Sequence, residues 1–392
     1  MANVDQRGGA PGSGAGGSLS GGSSGGSPPA NGRRGDRRSR RRRRPSALLV
    51  IVVAGLAAIA GAYLVARALD HHRPHGPYLI GAWTFGDRDS LRRAVAANAL
   101  DEISADWLQS RADGSVVAPK LDEGFLAQAR KDDCKVFITL TDYDEASKRF
   151  DHSISAAILA TPASRRRRRH VAAVAQWAAE HKVDGVDVDW EALSAGQRNA
   201  YARFVEELAA RLHHDGRQIA VDVFPKTSEP GSWDIPRAQD WKRLGRAVDE
   251  FRVMTYNYSG SWSGPGPLSP PSWMDRILTF AESQVDPRKI VMGLGLYGRE
   301  WRGSKTTDLV WSDVLWIRAT QHPKQSRSTS GELVLGYRSG GLQHSAYFPD
   351  ARAIDDKLSM MLARHAKIKG VFAWLMGQED PAVWNVLHRR LQ

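Results

Sequence analysis

The nine residues 183–191, VDGVDVDWE, decide how this chain folds. Val186, Val188 and Trp190 alternate there with Asp187, Asp189 and Glu191. Successive side chains of a strand point to opposite faces, so the three acids share one face and stand in a row. Like charges confined within a few ångströms are unfavourable, so some of the three must hold protons or bond one another, which pushes their pKa values apart. A carboxylic acid kept protonated at neutral pH is what general acid catalysis requires. An apolar strand with alternating acids ordinarily has no more than a solvated face. Here, however, the acids end in a Trp-Glu pair, and Asp184-Gly185 stands ahead of them.

Asp184, Asp187, Asp189 and Glu191 have the spacing D-x-x-D-x-D-x-E. The stretch resembles the signature of the family 18 glycoside hydrolases, the chitinase family. That resemblance implies an α/β fold, a (β/α)8 TIM barrel, with the motif on its fourth strand. Sites on such barrels lie at the C-terminal ends of the strands, and three further stretches bear on those ends. Met254-Thr-Tyr256-Asn257 resembles the family's Met-x-Tyr-Asp, with Asn257 where an acid is usual. Leu296-Tyr297-Gly298 resembles Pro-x-Tyr-Gly with Leu in place of Pro, and Phe372-Ala-Trp374 resembles the segment whose tryptophan floors the sugar subsite. Residues 370–380 also look like the barrel-closing segment of a bacterial branch that includes spore-cortex and polysaccharide-associated members.

The resemblance implies catalytic roles for Glu191, Asp189, Asp187 and Tyr256. It implies substrate contacts from Trp374, Tyr297, Asn257 and Met254, with Trp83 and Trp262 as further candidates, and a supporting role for Asp184 and Gly185. The family works by substrate assistance, so the expected partner is an N-acetylated polysaccharide: chitin, peptidoglycan or poly-N-acetylglucosamine. No cofactor and no metal are expected.

Outward from the motif, short apolar runs alternate with amphipathic stretches, the pattern of β/α units. Strands are expected at 78–85, 103–108, 135–140, 218–224, 251–256, 289–297 and 368–375, and helices at 90–99, 121–131, 164–182, 196–214, 273–285, 351–365 and 381–390. The rhythm breaks at 298–349, which holds Trp301, Trp311, Trp316 and an alternating strand at 332–337. That segment reads as a small α+β insertion after the seventh strand of a barrel domain at 77–392. The run Arg165 to Arg169 reads as a solvated helix face.

Residues 1–45 are rich in Gly, Ser and Pro and then in Arg, and such a composition buries too little apolar surface to order a chain. The tail carries ten arginines against Asp5 and Asp36, which is +8 of a total net charge of +12. The basicity therefore belongs mostly to the tail, and no nucleic-acid partner is expected for the barrel. Residues 46–66 form an uncharged apolar run of 21 residues, about the ~20 needed to cross a bilayer as a helix. Arginines crowd its N-terminal flank, which places the N-terminus in the cytoplasm and exports the C-terminal domain to the periplasm or exterior. The lipid bilayer is thus an expected partner, with 67–76 as a linker. Ala66-Arg67-Ala68 also fits the cleavage site of a signal peptide, but the run exceeds the ~7–15 residues of a signal core. His71, His72 and His75 read as solvated spacers in that linker, and Cys134, the single cysteine, allows no intrachain disulfide.

Two other function classes remain open at this stage. A glycan-binding barrel without catalysis is opposed by the presence of Glu191. A metal-dependent glycosyltransferase would use Asp187-Val188-Asp189 as a D-x-D site, but no Gly-rich phosphate cradle accompanies it.

Overall fold

The apolar runs on either side of the acidic strand become parallel barrel strands in the computed structural model, which describes residues 76–160 and 164–392. Among the described residues the barrel strands are, in order, Leu79–Thr84, Glu102–Ser110, Lys135–Thr141, Gly185–Asp189, Gln218–Val223, Glu250–Val253, Ile290–Gly295 and Gly370–Trp374. Each pairs in parallel with the next, and the first also pairs with the eighth, Leu79 standing opposite Gly370, so the sheet closes on itself. Helices cover the outside, which is why these strands are buried on both faces and read as near-continuous apolar runs. This is the (β/α)8 architecture, with the acidic strand fourth.

Local chemistry sets the helix starts. Asp87, Asp122 and Asp350 each accept a backbone N–H from the first turn that follows, stabilising the helices Arg88–Ala96, Glu123–Lys131 and Ala351–Arg364. Inside the barrel, Gly81 and Gly185 make room for neighbouring rings. A Cβ at Gly81 would lie 2.1 Å from the Phe372 ring, and one at Gly185 would lie 2.3 Å from that of Phe137.

The helix expected at 164–182 is Arg165–Glu180, capped by Ser164. Four of its five leading arginines are exposed, but Arg167 is buried, with Nε 2.8 Å from Glu207 Oε2. Among the described residues, the helices His152–Leu159, Asp234–Ala238 and Trp241–Ala247 were not expected from the sequence. The last two bridge the fifth and sixth strands.

The segment after the seventh strand holds the helix Trp311–Gln321 and a five-stranded antiparallel sheet in the spatial order Lys305–Leu309, Gly298–Arg302, Leu342–Phe348, Leu333–Ser339, Lys324–Arg327. It has its own apolar core, including Val314, Ile317, Leu335 and Phe348. Glu332 ties it to the barrel: its carboxylate accepts Leu268 N–H at 2.8 Å and Ser269 N–H at 3.0 Å, and Lys357 Nζ from the following helix stands 3.1 Å away.

The tail at 1–45, the apolar run at 46–66 and all but the last residue of the linker lie outside the described residues. Among the described residues, no helix is long and apolar enough to cross a membrane.

Candidate active site

The C-terminal ends of the strands open into a cleft of about 920 Å³, within the size range of small-molecule and cofactor sites. Asp189 and Glu191 of the fourth strand and the loop after it line the cleft, with Asp222, Met254, Tyr256, Asn257, Tyr297 and Trp374 from neighbouring strand ends. Phe85, Trp233, Tyr258 and Trp262 stand on its walls with rings largely exposed; Trp262 is 67% exposed. Flat apolar faces beside a row of carboxyl groups suit pyranose rings.

Glu191 lies partly exposed in the cleft, with its backbone N–H donated to Asp142 Oδ1 at 2.9 Å and that of Ala192 to Asp142 Oδ2 at 3.0 Å. Burial of its carboxyl, then the charges of Asp142 and Asp106, push its pKa up to about 8. Glu191 is therefore protonated at neutral pH and can donate that proton. Asp142 and Asp106 are themselves raised to about 7, mainly by burial. Asp189 is pushed well above the carboxylate range by burial and then by the charges of Glu191, Asp222, Asp106 and Asp187, and its Oδ1 has no hydrogen-bond partner.

Asp187 sits beneath the cleft. Its Oδ2 accepts Trp83 Nε1–H at 2.9 Å, Ser104 Oγ–H at 2.9 Å and Arg252 Nη1–H at 2.6 Å. The Trp83 ring is 1% exposed, and its N–H is shared with Asp222 Oδ2 at 3.1 Å. Expected from sequence as a substrate contact, Trp83 instead lies under the acid row as a hydrogen-bond donor, its ring packed edge-on against Phe372 and Trp374. Trp374 itself is half-buried in the cleft.

Tyr256 is buried, and burial, then the charge of Asp222, push its hydroxyl pKa well up, so it remains a donor. Asn257 adopts φ 69°, a left-handed conformation that Asn tolerates better than most residues. Its Oδ1 accepts from the Tyr297 hydroxyl and from Arg299 Nη2 at 3.2 Å. Asp184 Oδ2 accepts Val136 N–H at 2.8 Å, which fixes the start of the fourth strand against the third.

Asp106, Asp142, Asp222, Arg252 and Arg299 were not assigned roles from sequence. The available signal was lone charges in or at the ends of apolar runs, such as Asp222 at the close of the fifth strand. Among the described residues, no group of three or more His, Cys, Asp or Glu side chains could hold a metal ion.

The profile of the Glycosyl hydrolases family 18 matches residues 85–379. The "Uncharacterized glycosylase YvbX" of Bacillus subtilis (strain 168) is 23% identical over 313 residues, 78% of this chain and 90% of that protein. The "Cortical fragment-lytic enzyme" of Bacillus anthracis is 28% identical over 222 residues, 55% of this chain, and this chain spans 51% of that protein. Among solved structures, the chitinase from Chromobacterium violaceum ATCC 12472 superposes with a TM-score of 0.72 at 22% identity, over 79% of this chain and 98% of that one.

Proposed function

The chain belongs to the glycosyl hydrolases of family 18, and from that premise we propose that it cleaves β-linked polymers of N-acetylhexosamine by substrate-assisted hydrolysis. The observation that carries the proposal is that Glu191, Asp189 and Tyr256 line one cleft, with burial and neighbouring acids pushing the Glu191 pKa up to about 8. Glu191 gives its proton to the glycosidic oxygen as the bond from C1 breaks. The carbonyl oxygen of the sugar's own 2-acetamido group forms the new bond to C1, giving an oxazolinium ion, so no enzyme nucleophile is required. Asp189 orients the acetamido N–H and, as its own proton passes to Asp187, balances the positive charge, while the Tyr256 hydroxyl holds the acetamido oxygen. Water then attacks C1 as the bond from C1 to the acetamido oxygen breaks, its proton goes to Glu191, and the shared proton returns from Asp187 to Asp189, which restores the enzyme.

This chemistry requires an N-acetylated sugar on the non-reducing side of the cut. Chitin, peptidoglycan and poly-N-acetylglucosamine all qualify. The relatives named as a chitinase and as a cortical fragment-lytic enzyme support that substrate range. The test is the full chain incubated separately with the three polymers, reading new reducing ends. Cleavage of at least one is expected, and release from none, with glycan binding intact, would favour a binding barrel instead.

We also infer that residues 46–66 anchor the protein as a single-pass helix, with the barrel exported. The length of the run and its one-sided arginine flank support this. Membrane fractionation with protease added from outside tests it: the barrel should sediment with membranes and be cut only from the exported side. A barrel recovered without the 46–66 run would mean that the run had been removed as a signal peptide.

A further inference from the structure

The acid row contains a fourth member, and its hydrogen bonds assign its proton. Asp187 Oδ2 and Asp222 Oδ2 both accept from Trp83 Nε1, at 2.9 and 3.1 Å, which sets the two buried carboxyl groups side by side, and the other oxygen of each is buried without a hydrogen-bond partner. Two carboxyl groups sharing one buried site do not both ionise, so one of them holds a proton. Asp187 Oδ2 already accepts from Trp83, Ser104 and the Arg252 guanidinium. The Ser104 hydroxyl is fixed as the donor to Asp187 when Thr139, at 2.7 Å, donates to it. A carboxyl oxygen that receives three donors, one of them charged, is the acceptor of the pair. Asp222 receives only the longer Trp83 bond, at 3.1 Å.

We propose that Asp222 is a positioning residue of the catalytic row: it carries the shared proton and donates it as a hydrogen bond to an ionised Asp187, leaving Asp189 as the carboxyl that takes up charge opposite the substrate. The assignment rests on the substrate-assisted reading above and leaves Asp187 ionised, able to accept the proton that Asp189 gives up.

The surrounding charges agree. From the sixth strand, Arg252 Nη1 meets Asp187, Nη2 meets Glu102 and, at 2.8 Å, Glu250, all with fully buried side chains. Lys369 Nζ lies 2.6 Å from Glu250. Burial and the charge of Glu250 push Glu102 well up. Arg252 and Lys369 are the cations that hold Asp187 and Glu250. The other groups whose fields reach the pair are Asp189, Asp106, Tyr201 and Tyr256, and none of these is a cation. Once its proton has passed to Asp187, the charge on Asp189 is balanced by the developing oxazolinium ion.

The test compares the full chain, as wild type, Asp222→Asn and Asp187→Asn, by infrared difference spectroscopy at neutral pH. The expected result is loss of a protonated-carboxyl band in Asp222→Asn and loss of a carboxylate band in Asp187→Asn. The reverse pattern overturns the assignment. A kinetic arm adds Asp222→Leu. The Asn amide still donates to Asp187, so kcat should fall by at most about tenfold with Asn and by about a hundredfold or more with Leu, with KM little changed in both. An Asn variant as impaired as the Leu variant would also overturn it. If the Leu variant does not fold, the infrared comparison decides alone. If wild type cleaves none of the three polymers, the hydrolase reading fails, while the infrared bands still locate the proton on Asp222 or on Asp187.

Discussion

Asp142 accepts the backbone N–H of Glu191 at 2.9 Å, so one buried carboxyl both fixes the loop that bears the acid and raises that acid's pKa. Removing its charge should therefore show in the pH profile. Glu191 works protonated, so activity is present below its pKa of about 8 and is lost as pH rises through it. Asp142→Asn removes the second-ranked cause of the elevation while burial, the first, persists. The alkaline limb of kcat should move to lower pH by about half a unit to one unit. An unmoved limb in a folded variant would show that Asp142 acts on the backbone alone.

The barrel was legible because its signals are periodic. Apolar runs between amphipathic stretches gave the strands, and the acidic strand gave the place of the site. What could not be read was whatever depends on barrel closure. Arg252, Asp222 and Glu102 are charges at or inside apolar runs far apart in sequence, and their meaning appears only when the second, fourth, fifth and sixth strands bring them together. Trp83 reads as a sugar platform because a tryptophan near a strand end suits one. Closure of the first strand on the eighth instead buries it against Phe372, with its N–H turned to the acids.

Glu191→Gln keeps the size and the hydrogen-bonding capacity of the side chain while removing the proton that is transferred. General acid catalysis contributes about 10²–10⁴ in rate. Reducing-end formation should fall by that range while oligosaccharide affinity, read by calorimetry, is kept. An undiminished rate would remove Glu191 from the mechanism.

Tyr256→Phe deletes one hydroxyl that is buried and held protonated beside Asp222. If it holds the acetamido oxygen as charge develops there, its loss should cost about 10²–10³ in kcat with little change in KM, as for other donors aimed at a transition state. A change confined to KM would make it a ground-state contact.

The Lys357 and Glu332 pair tests how far the insertion is bound to the cleft. Both side chains are fully buried, and Glu332 also receives the backbone N–H groups of Leu268 and Ser269, which end the loop carrying Trp262. Breaking a buried pair on one side leaves an uncompensated charge and costs about 3–5 kcal/mol. Lys357→Met should therefore destabilise by about that amount in chemical denaturation, since the remaining carboxylate has lost its cation. Adding Glu332→Gln to that variant should recover part of the loss, because a neutral amide oxygen still accepts from the loop while no charge is left unpaired. Recovery short of wild type is the signature of the loop contacts, as the amide can offer only one oxygen where the carboxylate offered two. A double variant no more stable than Lys357→Met alone would place the energy in packing and not in the buried charges.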